Sequence, residues 1–254
     1  MSKKANLRAQ RRNEYENILI NKFSLANVKP ATSNQRKVFD IYENNEIVGI
    51  FGSAGTGKTY LGAYLALRDA FVNDNYSTIV YVRSAVQTRD QGFMPGDEKE
   101  KMSYYEQPII DVVNDLLGDN EAYSVLKRAK KIEFMSTSFC RGLTKENSII
   151  IFDECQSANF HELSTVITRL GKNSKIVLCG DVRQDDLKFN ARNRNDLSGL
   201  QKLIGVSELM PSFGTVFMTP DDIMRSELVK QFIIAEEKYE SLNSNSSGVQ
   251  YLKS

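Results

Sequence analysis

The sequence has little of the chemistry that metal centres and disulfide frameworks need. Its 254 residues include one histidine, three cysteines, five prolines and no tryptophan. A single histidine, His161, excludes sites built from several histidines, and an odd number of cysteines without Cys-x-x-Cys spacing argues against a disulfide framework or a zinc knuckle. We expect Cys140, Cys155 and Cys179 to pack as small hydrophobic residues in a reducing compartment.

Long apolar runs and an excess of one charge are also missing. No stretch of about 18 apolar residues occurs, and the beginning of the chain is polar and basic. We therefore predict neither a membrane span nor an export signal, and a cytoplasmic location. Lysine plus arginine total 33, aspartate plus glutamate total 32, and 41% of the residues are hydrophobic. This composition is typical of a globular protein and excludes a disordered or fibrous chain.

Charge and composition divide the chain into three parts. A run of basic residues precedes the first acidic residue, Glu14, which predicts a basic arm over residues 1–25. A stretch rich in serine and asparagine predicts a flexible tail over residues 241–254. Residues 26–240 between them are expected to form a single domain.

Short apolar runs alternate with longer segments of helical periodicity. Residues 149–152 are continuously apolar, as expected for a strand that helices cover on both faces of a parallel sheet. The predicted strands are residues 46–51, 78–82, 131–135, 148–152, 175–179 and 215–218. The predicted helices are residues 58–72, 107–117, 121–129, 160–170 and 221–237. This alternation predicts a three-layer α/β fold with a mostly parallel central sheet.

One glycine-rich segment has the sequence of a phosphate-binding loop, the P-loop. It lies between an apolar run and a helical segment, as this motif requires. Glycines let backbone N–H groups turn inward around phosphate oxygens, and the helix N-terminus adds its dipole. Lys58 is expected to neutralise the β- and γ-phosphates, and Thr59 to ligate Mg²⁺. The predicted nucleotide-binding residues of the loop are Gly52, Ser53, Ala54, Gly55, Thr56, Gly57, Lys58 and Thr59.

A second apolar strand ends in two carboxylates, Asp153 and Glu154, which we call the acid pair. They follow residues 149–152, at the sheet edge where nucleotides bind in such folds. We predict that Asp153 holds Mg²⁺ through water and that Glu154 is the base or water-positioning group of a hydrolysis reaction. The guanine signature Asn-Lys-x-Asp does not occur, so ATP is the expected nucleotide.

Three other polar residues fit the same site. Gln35 precedes the first strand and is predicted to hydrogen-bond the adenine edge. Gln184 follows another buried strand and could sense the γ-phosphate, and Arg225, near the start of the last predicted helix, could act as an arginine finger. With Lys58 and Glu154, these two residues complete the predicted catalytic set.

The order of these motifs resembles the ATPase core of superfamily-one helicases, and most of all the PhoH family. The residues that carry the resemblance are Gly92-Phe93-Met94-Pro95-Gly96-Asp97, Arg141-Gly142-x-Thr144, Asp153-Glu154-x-Gln156, Gly180-Asp181-x-x-Gln184 and Asp222-Ile223-x-Arg225. The resemblance implies a RecA-like P-loop NTPase that binds ATP and Mg²⁺, in the compact form found in bacteriophages, which would place it in the host cytosol. The chain departs from the family pattern at Ser84, at Tyr104-Tyr105 and at Ser226-Glu227, which concerns substrate contacts more than nucleotide chemistry.

The resemblance also implies an assembly and a substrate. Too few residues follow Gln184 for a second helicase lobe, so we expect a cyclic homo-oligomer, a hexamer, in which Arg225 acts in its own subunit or on the adjacent one. The implied substrate is single-stranded RNA, which the ring would bind or, as an RNA helicase, unwind, and for which a mixture of basic and aromatic residues is suited. The candidate contacts are Arg83, Arg89, Phe93, Lys99, Lys101, Tyr104, Tyr105, Arg141 and Lys145.

Three other functions stay open. The chain could be an ATPase that remodels a protein partner without nucleic acid. It could be a nucleotide kinase with a lid at residues 188–196, although Glu154 favours hydrolysis. It could also bind ATP without turning it over. The preference for RNA over DNA rests on the resemblance alone.

Overall fold

The structure is a computed structural model that describes residues 23–84, 98–140, 142, 144–182 and 199–244. Six strands lie in these residues: β1 Ile47–Phe51, β2 Thr78–Arg83, β3 Ile132–Ser136, β4 Ser148–Phe152, β5 Lys175–Gly180 and β6 Phe213–Phe217. The helices are α1 Ser33–Asn44, α2 Lys58–Leu67, α3 Glu98–Leu117, α4 Ala122–Arg128, α5 Phe160–Ile167, α6 Gly199–Ser207 and α7 Glu227–Ser244. A π-helical turn, Arg68–Val72, extends α2.

The strands form one parallel sheet in the order β3-β2-β4-β5-β1-β6. All five residues of β1 and of β4 are buried, because β1 lies between β5 and β6 and β4 lies between β2 and β5. The carboxyl ends of β1, β2, β4 and β5 therefore meet at one edge of the sheet. This edge carries the P-loop and the acid pair.

Two hydrophobic cores lie on opposite faces of the sheet. One is formed with α1, α2, α3 and α4, and it includes Val48, Ile50 and Val177 from the strands. The other is formed with α5 and α6, and it includes Phe51 and Leu178. Successive side chains of a strand point to opposite faces, so both faces of an apolar strand are covered. The predicted three-layer α/β fold of the RecA-like P-loop type is confirmed.

All six predicted strands are present, within two residues at each end. Two helices, α1 and α6, were not predicted, and α1 begins after Thr32, whose hydroxyl accepts a hydrogen bond from the Gln35 backbone N–H. Helix α3 begins nine residues before the predicted start at residue 107, and Pro108 lies inside it.

The last helix, α7, begins at Glu227, because a short 3₁₀ turn occupies Pro220–Asp222. It ends at Ser244, four residues into the segment predicted to be a tail. No described side chain of α7 belongs to either core. None of the helices formed by the described residues is long and apolar enough to cross a membrane.

Candidate functional site

The P-loop connects β1 to α2 in the geometry that phosphate binding requires. Gly52, Gly55 and Gly57 have φ angles of 155°, 80° and 83°, which lie in the region that favours glycine. The Gly52 N–H donates to the carbonyl of Gly180, 3.1 Å away, which joins the start of the loop to the end of β5. The loop is therefore held between its own strand and the neighbouring one.

Two polar groups of the P-loop face inward. The Lys58 ammonium donates to the carbonyl oxygens of Gly52 and Ser53, at 2.7 and 2.8 Å. The hydroxyl oxygen of Ser53 is buried without a hydrogen-bond partner among the described residues. A buried hydroxyl without a partner is costly, and a phosphate oxygen would supply one. The loop thus fits a nucleotide phosphate.

The acid pair reaches the P-loop through Asp153. The Thr59 hydroxyl donates to Asp153 Oδ1 at 2.5 Å, and the Asp153 side chain is buried. Burial raises the pKa of Asp153, while the Arg83 guanidinium beside it acts in the opposite direction. A hydroxyl and a carboxylate oxygen are hard donors that suit Mg²⁺.

Within the described part of the chain, no three His, Cys, Asp or Glu residues lie together as a metal site. A magnesium ion in this site would therefore draw its remaining ligands from water and substrate phosphates, which is how this ion is often held. Thr59 and Asp153 are the residues that would hold it.

Glu154 has an unusual backbone at the end of β4. Its φ angle is 51°, in the left-handed region that non-glycine residues seldom adopt. Its carboxylate accepts a hydrogen bond of 2.5 Å from Gln156 Nε2, and Gln156 Oε1 accepts one of 3.0 Å from the Asp181 backbone N–H. The side chain is half-exposed, so water has access to it.

Gln35 lies beside the P-loop but is buried. Its Oε1 accepts a hydrogen bond of 2.8 Å from the Ala31 backbone N–H. Its Nε2 lies 3.9 Å from the position that a β-carbon on Gly57 would occupy. The structure thus brings Gln35 to the loop, with its carbonyl oxygen bonded to Ala31 and its amide nitrogen near Gly57.

Arg225 lies against the P-loop of its own chain. The Met224 backbone N–H donates to the Gly55 carbonyl at 2.9 Å. The Arg225 Cγ lies 2.9 Å from the position that a β-carbon on Gly55 would occupy. This arginine reaches the phosphate loop within one subunit, and it precedes α7 instead of lying inside the predicted helix.

Several predicted residues lie outside the described residues. Gln184 is one of them, as are Arg89, Phe93 and Arg141 of the proposed RNA contacts and the segment 188–196. Lys145 is described, and its ammonium pairs with Glu133 at 2.5 Å. The three cysteines are buried as free thiols, and burial raises the pKa of each; that of Cys140 rises to about 11.

Arg83 was expected among the RNA contacts, and the structure places it on the acid pair instead. Its Nη2 lies 2.9 Å from Asp153 Oδ2 and 3.7 Å from Glu154 Oε1. The reason is the strand register, because β2 and β4 are parallel with Val82 opposite Phe152. The next residue of each segment therefore lies beside its counterpart, so Arg83, the last residue of β2, meets Asp153, which follows β4.

Two exposed aromatic residues follow the carboxyl ends of β2 and β3. Tyr104 of α3 is 66% exposed, and Phe139, on a 3₁₀ turn directly after β3, is 52% exposed. Phe139 was not among the predicted contacts. Both lie on connections from the sheet edge that carries the P-loop, and exposed aromatic rings are suited to base stacking.

Comparison with known proteins identifies relatives over most of the chain. A family model described as PhoH-like protein matches residues 27–237. A PhoH-like protein of Mycobacterium tuberculosis is 34% identical over 218 residues, which are 85% of this chain and 60% of that protein. A PhoH-like protein of Bacillus subtilis is 32% identical over 212 residues, which are 83% of this chain and 64% of that protein. The chain thus spans about 60% of the length of these curated relatives.

Solved structures with a similar chain path are more distant in sequence. The large terminase of a thermophilic bacteriophage has a TM-score of 0.47 at 13% identity, over 81% of this chain and 50% of that one. The Pif1 helicase of Candida albicans has a TM-score of 0.38 at 17% identity, over 82% of this chain and 43% of that one. The family model covers most of the chain. The P-loop and the acid pair of this chain lie at one edge of a parallel sheet. The chain belongs to the PhoH family.

Proposed function

We propose that this chain is a magnesium-dependent ATPase whose residues 26–240 form a single catalytic domain. The observation that carries the proposal is the contact of 2.5 Å between Thr59 of the P-loop and Asp153 of the acid pair. This contact places two oxygen donors that suit Mg²⁺ beside a loop whose glycines and lysine are suited to phosphate. Glu154 follows directly, half-exposed to water.

Each residue has a distinct part in this proposal. Lys58 exchanges its contacts with the loop carbonyls for the phosphate oxygens and neutralises their charge. The magnesium ion supplies further neutralisation of that charge when it is bound. Glu154 orients the attacking water and accepts its proton. Arg225, beside Gly55 of the same chain, stabilises the charge that develops on the transferred phosphoryl group.

Single-stranded RNA is the substrate that we propose for this ATPase. Tyr104 and Phe139 support a polymer, since base stacking on aromatic rings tolerates any sequence. The placement of Arg83 on the acid pair removes one basic group from the expected contacts. A protein partner is the second candidate, because exposed aromatic residues also occur in protein interfaces.

A ring of identical subunits, a hexamer, is the assembly that we propose. The support is an apolar stripe on α7 formed by Leu228, Phe232, Ala235 and Tyr239, all exposed. The spacings of four, three and four residues along this stripe are those of a seam between helices. The occupant we propose is a second copy of the chain, because α7 begins two residues after Arg225 and so continues from the nucleotide site.

The proposal is tested by steady-state ATP hydrolysis with magnesium, with single-stranded RNA, with single-stranded DNA and without polymer. Lys58→Ala should lower kcat by about a thousandfold, since the phosphate charge is left without its cation. Glu154→Gln should lower kcat by about a hundredfold or more while ATP binding persists. Lys172→Ala is the matched control, because this exposed lysine precedes the amino end of β5 and should leave turnover unchanged.

Each outcome decides between the candidates. Turnover that rises with RNA supports the RNA-dependent ATPase. Turnover that rises only with DNA makes single-stranded DNA the substrate instead of RNA. Turnover that no polymer changes makes a protein partner the leading substrate. Wild-type protein that binds ATP without hydrolysing it contradicts the proposed activity.

A further inference from the structure

Arg83 connects the acid pair to helix α3. We propose that it is a positioning residue, through which a single RNA strand on α3 changes the arrangement of Asp153 and Glu154. The inference rests on the proposed RNA-dependent ATPase and gives that function a physical route.

The contacts of Arg83 span three elements. Nη2 lies 2.9 Å from Asp153 Oδ2 and 3.7 Å from Glu154 Oε1. Nη1 donates to the backbone carbonyl of Tyr105 in α3, at 3.2 Å. The guanidinium is planar and rigid, so a displacement of the α3 backbone at this point is transmitted to the carboxylates.

The Arg83 side chain is 16% exposed and that of Asp153 is 4% exposed, so their interaction is weakly screened by solvent. A buried arginine usually needs hydrogen bonds to all its N–H groups. The Nε of Arg83 is buried and has no partner among the described residues. The guanidinium is therefore held through Nη1 and Nη2, and its Nε–H group is not satisfied where it lies.

Helix α3 is weakened next to the Arg83 contact. Pro108 lies inside the helix and has no N–H, so the carbonyl of Tyr104 loses its usual partner four residues on. Tyr104 is also 66% exposed and available to a base. Stacking on Tyr104 would act on the residue next to the one whose carbonyl binds Arg83.

Glu154 is the group that responds. Its carboxylate lies between Arg83 on one side and Gln156 Nε2 on the other, and the distance of 3.7 Å to Arg83 is that of a loose ion pair. When Arg83 follows α3, the Glu154 carboxylate loses this contact and can take a different orientation toward the attacking water. Arg83 itself touches no substrate in this scheme.

The test compares Arg83→Lys with wild type in basal turnover, in stimulation by an oligouridine single strand and in affinity for that strand. Lysine keeps the charge but lacks the planar fork through which Arg83 binds Asp153 and the Tyr105 carbonyl by separate nitrogens, so it connects the two less rigidly. We expect stimulation to fall below about twofold while RNA affinity changes by less than about threefold. Arg68→Lys is the matched control, because Arg68 also pairs with two acids, Glu43 and Asp69, and its side chain is 22% exposed.

Two results would overturn the proposed role of Arg83 as a positioning residue between α3 and the acid pair. Arg83→Lys that is stimulated as strongly as wild type shows that Arg83 transmits nothing. Arg83→Lys that loses RNA affinity in proportion to stimulation shows that Arg83 is a direct RNA ligand. If no polymer changes the turnover of wild type, the proposed RNA function fails. The connection from α3 to the acid pair through Arg83 is then tested without polymer.

The polymer-free measurement is a double-mutant cycle on basal kcat with Pro108→Ala, which restores the missing N–H of α3 beside the Arg83 contact. We expect Pro108→Ala to change kcat by about threefold or more in wild type and by less than about 1.5-fold in Arg83→Lys. Equal changes in the two backgrounds contradict the connection from α3 to the acid pair. Thermal unfolding of each variant confirms that the folded protein is measured.

Discussion

Gly55 has two physical reasons to be glycine. Its φ angle of 80° is unfavourable for a residue with a β-carbon, and such a carbon would lie 2.9 Å from Arg225 Cγ. We expect Gly55→Ala to weaken ATP binding by at least about tenfold, since the loop amides must shift to relieve both. A fluorescent ATP analogue titrated into the purified variant measures the loss.

A substitution at Gly118 is the control that separates the effect of backbone strain from the effect of damage to the phosphate-binding site. It has a φ angle of 65°, and a β-carbon there would meet nothing within 4 Å. Gly118→Ala should lower the free energy of unfolding by about 1 kcal/mol and leave ATP affinity unchanged. Equal ATP affinity in Gly55→Ala and Gly118→Ala would contradict the role given to the loop.

At the residue scale, the sequence predicts those parts of the candidate site that consist of adjacent residues. The P-loop and the acid pair are runs of adjacent residues, and the structure brings Thr59 and Asp153 within 2.5 Å of each other. The partner of Arg83 was not predicted, because an isolated arginine next to a long polar segment has no local feature that indicates Asp153 as its partner. The exposure of Phe139 was missed for the same reason, since the burial of an aromatic residue depends on distant neighbours.

At the scale of elements, α7 carries the apolar stripe on which the proposed assembly depends. Leu228 is 78% exposed, and Phe232 and Tyr239 are each 66% exposed, on one stripe of the helix. We expect Phe232→Glu to weaken self-association by at least about tenfold, because a charge replaces a large apolar side chain in the seam. Sedimentation velocity with ATP and magnesium over a range of protein concentrations measures the change.

Leu209→Glu is the control for this variant. Leu209 is 82% exposed and precedes β6, at the amino edge of the sheet, so an added charge there should not affect assembly. Wild type that is monomeric at all concentrations, or Phe232→Glu that assembles like wild type, would contradict the ring.

The strands were easier to predict than the helices, for a physical reason. A strand covered on both faces must be continuously apolar, and β4 with its run of three isoleucines and a phenylalanine shows this directly. Helix α1 has a polar sequence and is held by its cap at Thr32 and by a few buried residues such as Val38 and Tyr42. Such a helix depends on tertiary packing, which periodicity over twelve residues does not reveal.

At the scale of the whole molecule, Asp222 joins the two ends of the described chain. Its buried carboxylate accepts hydrogen bonds from the Thr32 hydroxyl, from Asn34 Nδ2 at 2.8 Å and from the Thr219 backbone N–H at 2.7 Å. Asp222→Asn replaces one acceptor oxygen by an N–H donor that faces these groups. We expect it to lower the free energy of unfolding by about 2 kcal/mol in urea titrations at neutral pH.

The pH dependence of the Asp222 contribution follows from its pKa. Burial raises the pKa of Asp222, but hydrogen bonds from Asn34, Thr219 and Thr32 together outweigh burial and hold it below its usual value. Its stabilisation is therefore present above the pKa of the unfolded chain, about 3.9, and is lost as the pH falls through the lower pKa of the folded state.

Wild type should consequently lose stability more steeply than Asp222→Asn when the pH falls below about 4. The exposed neighbour gives the control, since Asp221→Asn should leave both the stability and its pH dependence close to those of wild type. Parallel pH profiles for wild type and Asp222→Asn would contradict the assignment.

The position of β1 between β5 and β6 has a consequence for biosynthesis. The strand that leads into the P-loop is translated well before its two neighbours, which end at residues 180 and 217. Most of the sheet must therefore be translated before β1 has a partner on either side, and long-range parallel pairing of this kind folds slowly. During that interval the apolar β1 is exposed to aggregation, so the nascent protein is expected to depend on chaperones more than its size suggests.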